Sequence, residues 1–391
     1  MIGLSFLGTG DYQSTHYKWN NQIVETPYFP YAFNQLFGLD IHYIMMTEQA
    51  EEKHGPALKA LMEYQKISIP SGKTSDEIWD MFDAVVAHIP DKKSLFIDVT
   101  HGFRTQPMLA LAAAVFLRGY KDITIGGIYY GAFEAKNEHN ESPVFDLSSF
   151  LDLIDWTFAY RRYREKGDAH ELEDILKKLH GKTYKSNADY KAQALSKMGN
   201  SLAGLMDSLS VIRPQEVIKY SEKFEHNYEQ TIKDLEQMKE TRPMALFMER
   251  LEQKFSIFFE AYDKDLMSDE GLDAQFLMLK HYLETSQYQQ ALTFTAELQI
   301  SFACHKRGKN IFKREDRHTT AKRLNAINHD NKPADIEPWE QPIAELYQHT
   351  SEDRNDINHA GMRKNPKPAK SIIKNARKWV DETKKFIDKK R

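Results

Sequence analysis

The stretch Leu95-Phe96-Ile97-Asp98-Val99-Thr100-His101-Gly102-Phe103-Arg104 decides the fold of the N-terminal half. Residues 95–99 are an apolar run interrupted only by Asp98, which reads as a buried strand. The strand passes into a polar turn containing Gly102, and the turn feeds Pro107 and an apolar run over 108–117 that reads as a helix. Strand, tight loop and helix with proline in its first turn is the geometry that aims free backbone N–H groups at an anion. Thr100, His101 and Arg104 add a hydroxyl, an imidazole and a guanidinium, all suited to phosphate. The chemistry points to a phosphate-bearing ligand, with an ordinary βα turn carrying surface-polar residues as the bland alternative.

Working outward, the chain opens on a strand at 2–7 followed by Gly8-Thr9-Gly10-Asp11-Tyr12. The first strand of an open α/β sheet usually lies near its centre, and its C-terminal loop borders the ligand crevice. Gly8-x-Gly10 suggests a dinucleotide fingerprint, but the third glycine would fall at Gln13, so the fingerprint fails. Ser71-Gly72-Lys73-Thr74 imitates the end of a P-loop, and fails because the earlier glycine would be Ile67. Further strands are expected at 41–46, 66–69 and 123–130, alternating with helices at 33–39, 57–65 and 75–88, the last capped by Thr74 or Ser75. Such alternation argues a mostly parallel sheet covered on both faces.

The two loops, Gly8-Thr9-Gly10-Asp11 and Thr100-His101-Gly102-Phe103-Arg104, in this order and separation resemble the CARF sensor domain of CRISPR-associated proteins. The Asp98–Arg104 string is the specific part. The resemblance covers 1–150 and implies a Rossmann-like sensor domain, a homodimer, and a cyclic oligoadenylate activator bound by those nine loop residues across the dimer axis. A ring of identical nucleotides suits a two-fold interface, because each protomer presents the same loops to a symmetric ligand. Cyclic tetra-adenylate is the expected ring, with six adenylates the other candidate size.

After Ser149 the pattern becomes helical almost without interruption. Apolar residues recur at helical spacing in Leu195, Met198, Leu202 and Leu205, in Val217, Phe224 and Tyr228, and in Phe247, Leu251 and Phe255. Further helices fit 275–283, 288–304 and 369–387, and Pro214, Pro243 and Pro333 mark breaks. The aromatic stripe at 247–262 reads as core or interface. The fold class is therefore an α/β Rossmann-like N-terminal domain followed by an all-α C-terminal module.

Near the end of the chain lies Arg354-Asn355-Asp356-Ile357-Asn358-His359, with no other histidine preceded by an arginine five residues earlier. Arg323 to His329 is a looser rival with one extra residue between. The Arg354–His359 string resembles the R-x-x-x-x-H motif of HEPN ribonucleases, which implies RNA as substrate. RNA carries its own nucleophile in the 2′-hydroxyl, so a cleaving enzyme needs proton transfer and charge stabilisation at the phosphorane. His359 suits the first, Arg354 the second, and Asn355 or Asn358 could orient the substrate or the histidine. The bland alternative is an exposed helix start, with Thr350 as N-cap and Asp353 completing a capping box.

With the sensor upstream of that motif, the whole chain resembles the CARF–HEPN effector ribonucleases of type III CRISPR systems. That resemblance implies a sensor at 1–150, a helical linker region at 151–265 and a HEPN-like ribonuclease module at 266–391. It also implies a composite site from two protomers, with Arg354, Asn355 and His359 catalytic, single-stranded RNA as substrate, 2′,3′-cyclic phosphate products, and no metal or other cofactor. A ligand-gated nucleic-acid-binding regulator without catalysis is the alternative, and degradation of the ring by the sensor itself, through His101 or Thr9, is a third.

Composition agrees with partners of opposite charge tolerance in the two halves. The chain has 391 residues and a formal net charge of −4. Acids exceed bases by seven in 1–150, whereas 354–391 carries an excess of bases and 306–323 sets eight lysines and arginines against two acids. Sorted charge of this kind suggests that polyanions meet the C-terminal half, although solvated helical surfaces also look like this. The single cysteine, Cys304, excludes an internal disulfide and a cysteine-rich zinc site. No apolar run approaches a membrane span, so a soluble, cytoplasmic protein is expected.

Overall fold

The computed structural model describes residues 1–185, 190–262, 264–329, 332–362 and 364–390. It divides into two compact units, Met1–Ile154 and Asp155–Arg391. In chain order the first contains β1 (Ile2–Leu7), β2 (Thr15–Trp19), β3 (Gln22–Thr26), α1 (Phe29–Phe37), β4 (Ile41–Met46), α2 (Glu48–Leu61), β5 (Gln65–Ser68), α3 (Ser75–His88), β6 (Ser94–Asp98), α4 (Gln106–Lys121), β7 (Thr124–Gly131), a 3-10 turn at Phe133–Ala135, and β8 (Glu141–Asp146).

The eight strands form one sheet in the order β3-β2-β8-β7-β6-β1-β4-β5. The strands β5, β4, β1, β6 and β7 are parallel neighbours. Numbered among themselves along the chain, these five stand in the order 3-2-1-4-5, which is a doubly wound sheet. The winding direction reverses between β1 and β6, so the crevice outside their carboxyl ends is the topological switch point. β8 pairs antiparallel with β7, and the β2–β3 hairpin extends that edge, with β2 parallel to β8.

Every residue of β1 is buried, as a central strand covered on both faces requires. Its side chains alternate: Ile2, Leu4 and Phe6 pack with Val85 of α3 and Leu109 and Ala113 of α4, while Leu7 packs with Leu58 of α2. Fully burying such a side chain contributes roughly 1.5–3 kcal/mol. Thr47 caps α2, its hydroxyl accepting from the Ala50 N–H at 3.2 Å, and Thr74 caps α3 by accepting from Glu77 N–H at 3.2 Å. α1 ends at Gly38, whose φ of 60° lets its N–H reach the Asn34 carbonyl.

The hairpin β2–β3 and strand β8 are absent from the sequence expectation, and α2 begins nine residues before its expected start at 57. α2 runs straight through Gly55-Pro56. Proline here gives up one N–H to the helix, a loss that capping at Thr47 and burial of Ala50 and Leu58 offset.

The second unit is helical throughout. α5 (Ser149–Lys166) crosses the boundary, and α6 (His170–Lys185), α7 (Leu195–Ser210), α8 (Pro214–Gln237), a 3-10 turn at Lys239–Met244, α9 (Ala245–Glu260), α10 (Asp269–Glu284), α11 (Tyr288–Lys306), α12 (Arg314–Ile327), α13 (Glu340–Asn358) and α14 (Ala369–Asp388) follow. Pro214 opens α8, and Pro243 lies in the turn before α9. The aromatic stripe is core: Phe255 and Phe258 are buried, and Phe255 meets Phe224 edge-on at 5.9 Å. α11 buries most of its residues from Ala291 to Cys304, the polar Thr295, Gln299 and Ser301 included. Its Ala296, Ile300 and Ala303 pack with α12 and α13, and its Leu292 packs with Ile372, Ala376 and Trp379 of α14.

Candidate functional site

The two glycine loops leave the carboxyl ends of β1 and β6 and meet at the switch point. A Cβ on Gly8 would lie 3.2 Å from the Gly102 Cα, so the backbones approach as closely as glycine allows. Gly102 itself has φ of 126°, and a Cβ there would strike the Gln106 amide oxygen. That oxygen instead accepts from the Phe103 N–H at 3.1 Å, which ties the loop to the first turn of α4. Pro107 sits in that turn as the sequence predicts.

The first loop is clasped by α2. Lys53 Nζ donates to the Thr9 carbonyl at 2.8 Å and to the Asp11 carboxylate at 2.6 Å. This pairing holds the exposed Asp11 carboxyl below its ordinary range. His54 Nε2 donates to the Gly10 carbonyl at 2.8 Å. The Tyr12 hydroxyl accepts from the Gly8 N–H at 2.9 Å, and its ring lies 4.0 Å from His101 and 4.7 Å from His54. Burial pushes the Tyr12 hydroxyl up to about 12, so it stays protonated. Lys53 and His54 gave no signal in the sequence, since nothing in their spacing links them to a loop forty residues earlier.

The second loop departs from the expected phosphate cradle in two respects. Two of its N–H groups are committed: Thr100 N–H donates to Asp98 at 2.8 Å and Phe103 N–H to Gln106, as Gly8 N–H of the first loop does to Tyr12. The His101 imidazole is also committed, its Nε2 accepting from the Phe29 N–H at 3.1 Å. Burial, with some repulsion from His54, pulls its pKa down to about 3, so the ring is neutral and carries its proton on Nδ1. His101 is therefore no phosphate-binding cation. The Thr100 hydroxyl accepts from Gly131 N–H at 2.8 Å, joining the loop to the end of β7. Arg104 is exposed and makes no ion pair among the described residues, which leaves it as the loop's cation. Beneath the loops Asp98 is fully buried, and burial lifts its carboxyl to about 6 against the pull of hydrogen bonds from Thr100 and Ser5.

Between these loops, the start of β2 and the end of β7 lies a cleft of about 170 Å³. Its rings come from Tyr12, Tyr17, Tyr130 and Phe133, and its formal charges from Asp11 and Glu134. No lysine or arginine lines it among the described residues.

In the helical unit the capping-box expectation is corrected. α13 starts at Glu340, so Thr350 lies mid-helix, fully buried, its hydroxyl donating to the Leu346 carbonyl at 2.8 Å and accepting from Gln299 of α11 at 3.2 Å. Asp353 is equally buried and binds α14 instead of a helix start. It accepts from Asn375 Nδ2 at 2.9 Å, from Trp379 Nε1 at 2.7 Å, and from Lys367 Nζ. Asp356 accepts from the Lys367 N–H at 2.9 Å. The two aspartates, one helical turn apart, fix the rotation of α13 and with it the direction of its neighbours.

Arg354 is half-buried, with its guanidinium 3.6 Å from the Glu297 carboxylate of α11. Glu297 is shared with Arg317 of α12, which also donates to the Ser301 hydroxyl at 2.7 Å. Asn355 is exposed on α13, and His359 is exposed as its C-cap, its N–H donating to the Asn355 carbonyl at 3.0 Å. Asn358 accepts from Gln289 at 3.1 Å, which commits its amide oxygen. The chain thus holds the arginine beside Glu297 of α11 and offers the histidine to solvent. The rival motif is different. Arg323 makes a two-point contact with Glu340 at 2.7 and 2.9 Å and a third with Asp335, a structural cluster that leaves it no surface role.

No family model matches the chain. Over 111 residues it is 29% identical to the CRISPR-associated protein MJ1674 of Methanocaldococcus jannaschii. That match covers 28% of this chain and 18% of the relative. No described helix is long and apolar enough to cross a membrane.

Proposed function

We propose that the chain is a CRISPR-associated ribonuclease gated by a cyclic oligoadenylate. The observation that carries this reading is the meeting of the two glycine loops at the switch point of a doubly wound sheet, in a chain similar to a CRISPR-associated protein. The ring binds the Gly8–Asp11 and Thr100–Arg104 loops of two copies, with Arg104 at the phosphates. The helical module at 266–391 pairs with its counterpart and presents two copies of Arg354, Asn355 and His359 to single-stranded RNA. His359 then moves the proton at the 5′-oxygen leaving group, and Arg354 stabilises the charge on the non-bridging oxygens. One copy's His359 takes the 2′-hydroxyl proton as that oxygen bonds to phosphorus, and the other copy's gives a proton to the 5′-oxygen as the P–O5′ bond breaks, leaving a 2′,3′-cyclic phosphate and a 5′-hydroxyl.

For Arg354 to reach a phosphate, its contact with Glu297 must open or the phosphate must approach the guanidinium's other edge. A ligand gates this chemistry only by binding the cleaving arrangement more tightly than the resting one. The test is cleavage of a single-stranded RNA in EDTA, alone and with cyclic tetra- or hexa-adenylate. Cleavage that appears with one ring supports the reading, and RNA left intact with both rings contradicts it.

The Arg354–Glu297 contact favours one rival: Arg354 as a packing residue in a ligand-gated regulator that binds nucleic acid without cutting it. Ring-dependent RNA binding in the absence of any product would select that rival.

A further inference from the structure

The cleft beside the loops poses a chemical problem for a polyanionic ligand. Its lining holds two carboxylates and no cation among the described residues, and His101 is neutral. Asp11 is neutralised by Lys53 at its edge, but Glu134 has no cation partner there. A phosphate placed inside would face the like charge of the Glu134 carboxylate with no cation of the lining to offset it. The cations instead sit at the rim: Lys53 on Asp11, Arg104 on the second loop, and Lys136, whose Nζ lies 4.3 Å from the centre of the Phe133 ring.

The cleft suits a flat, uncharged ring with a hydrogen-bond donor on its edge. At about 170 Å³ it is smaller than the pockets of about 300 Å³ and more that hold whole drug-sized ligands, so it accommodates one heterocycle. Tyr12, Tyr130 and Phe133 offer aromatic surface, on which every base has a face to stack. Glu134, exposed on the 3-10 turn after β7, is an acceptor with no proton to give when ionised. One of its oxygens is already taken, since Oε1 accepts from the Tyr130 hydroxyl. A single free oxygen matches a lone exocyclic amino group. Guanine, which presents adjacent ring and exocyclic N–H groups, is matched better by a carboxylate with both oxygens unshared.

We propose that this cleft is the base subsite of the sensor, and that Glu134 reads the 6-amino group of an adenine while the phosphates stay at the cationic rim. The proposal rests on the reading that the N-terminal unit binds a cyclic oligoadenylate, and it assigns the base specificity of that site. It reconciles an acidic N-terminal half with an anionic ligand, because acid and phosphate occupy different parts of the site.

The test compares two probes by isothermal titration to the full-length protein. One is the cyclic tetra- or hexa-adenylate that the wild type binds, and the other is the same ring with each 6-amino group replaced by hydrogen. Wild type should bind the amino-lacking ring at least tenfold more weakly. Glu134→Ala should weaken the adenylate ring to a similar extent and make the two rings equivalent, with an unchanged melting midpoint because the side chain is exposed. Glu134→Gln should keep part of the preference, as its amide oxygen still accepts. Equal affinity of wild type for both rings, or an undiminished preference in Glu134→Ala, overturns the base subsite while leaving the sensor reading intact. Failure of wild type to bind either adenylate ring overturns the sensor reading and this proposal with it.

Discussion

Two residues at the switch point behave unlike their neighbours, and each makes a distinct prediction. Arg104 is the second loop's cation, now that His101 is neutral and bonded to Phe29. Arg104→Ala should weaken ring binding about ten- to a hundredfold, the loss of a charged hydrogen bond of roughly 1.5–3 kcal/mol, and titration calorimetry reads this directly. Wild-type affinity in that variant would remove the loop from the site. Asp98 is buried with its carboxyl raised to about 6 from an ordinary value of 3.8. Between those values the folded protein keeps the proton that the unfolded chain has released. The stability it contributes is full below the unfolded value and drains as pH rises through 6, by an amount on the order of 3 kcal/mol. Asp98→Asn removes the charge and keeps an acceptor for the Thr100 N–H. Its melting midpoint should exceed wild type at pH 8 and match it near pH 4, and a lower midpoint at pH 8 would contradict this account.

At the scale of elements, the sequence disclosed those with strong periodicity and hid those with mixed signals. β1 and β4 and the helix α3 fall on their expected residues, because apolar runs and the Thr74 cap mark them. The hairpin β2–β3 is half-exposed and polar, so its alternation was faint, although Asn20 with φ of 53° makes the kind of tight turn that Asn-Asn allows. β8 was hidden by Pro143, which cannot donate to a ladder. Of the candidate site, the two loops and the Arg354–His359 string were legible as motifs. The clasp of Lys53 and His54, the neutrality of His101 and the contact of Arg354 with Glu297 were not, since each depends on a partner distant in sequence. The same distinction separates the two arginine motifs. Arg323→Ala should cost about 1.5–3 kcal/mol, because it strips two charge-assisted hydrogen bonds from the buried Glu340 carboxylate and leaves it Arg307 and the Glu337 N–H. Arg354→Ala should cost far less, since Arg317 still neutralises Glu297. Thermal melts of the two variants read the contrast, and equal destabilisation would make Arg354 a structural residue like Arg323.

The whole molecule carries a pH signature in its buried bases. Burial depresses His42 and His101 in the sheet unit to about 3, and His281 in the helical unit to about 3 by burial and then repulsion from Lys254. The unfolded chain takes up protons at these positions below about pH 6.5 while the folded protein does not, so each lowers stability by roughly 1.4 kcal/mol per pH unit on acidification. Asp98 opposes one of the two in the sheet unit between pH 6 and 4, leaving a net loss there. The melting midpoint should therefore fall steadily from pH 7 to pH 4.5, and a flat profile by differential scanning calorimetry would contradict the burial of these imidazoles. The central claim joins the two units: a ring bound by the sheet unit releases RNA cleavage by the helical one. One measurement tests it most directly, the cleavage of single-stranded RNA in EDTA by wild type and His359→Ala, each with ring binding measured on the same preparation. The account predicts that both bind the cyclic adenylate alike, that wild type cuts only when it is present and leaves 2′,3′-cyclic phosphate ends, and that His359→Ala does not cut. Full cleavage by His359→Ala, or cleavage by wild type that ignores the ring, would contradict it.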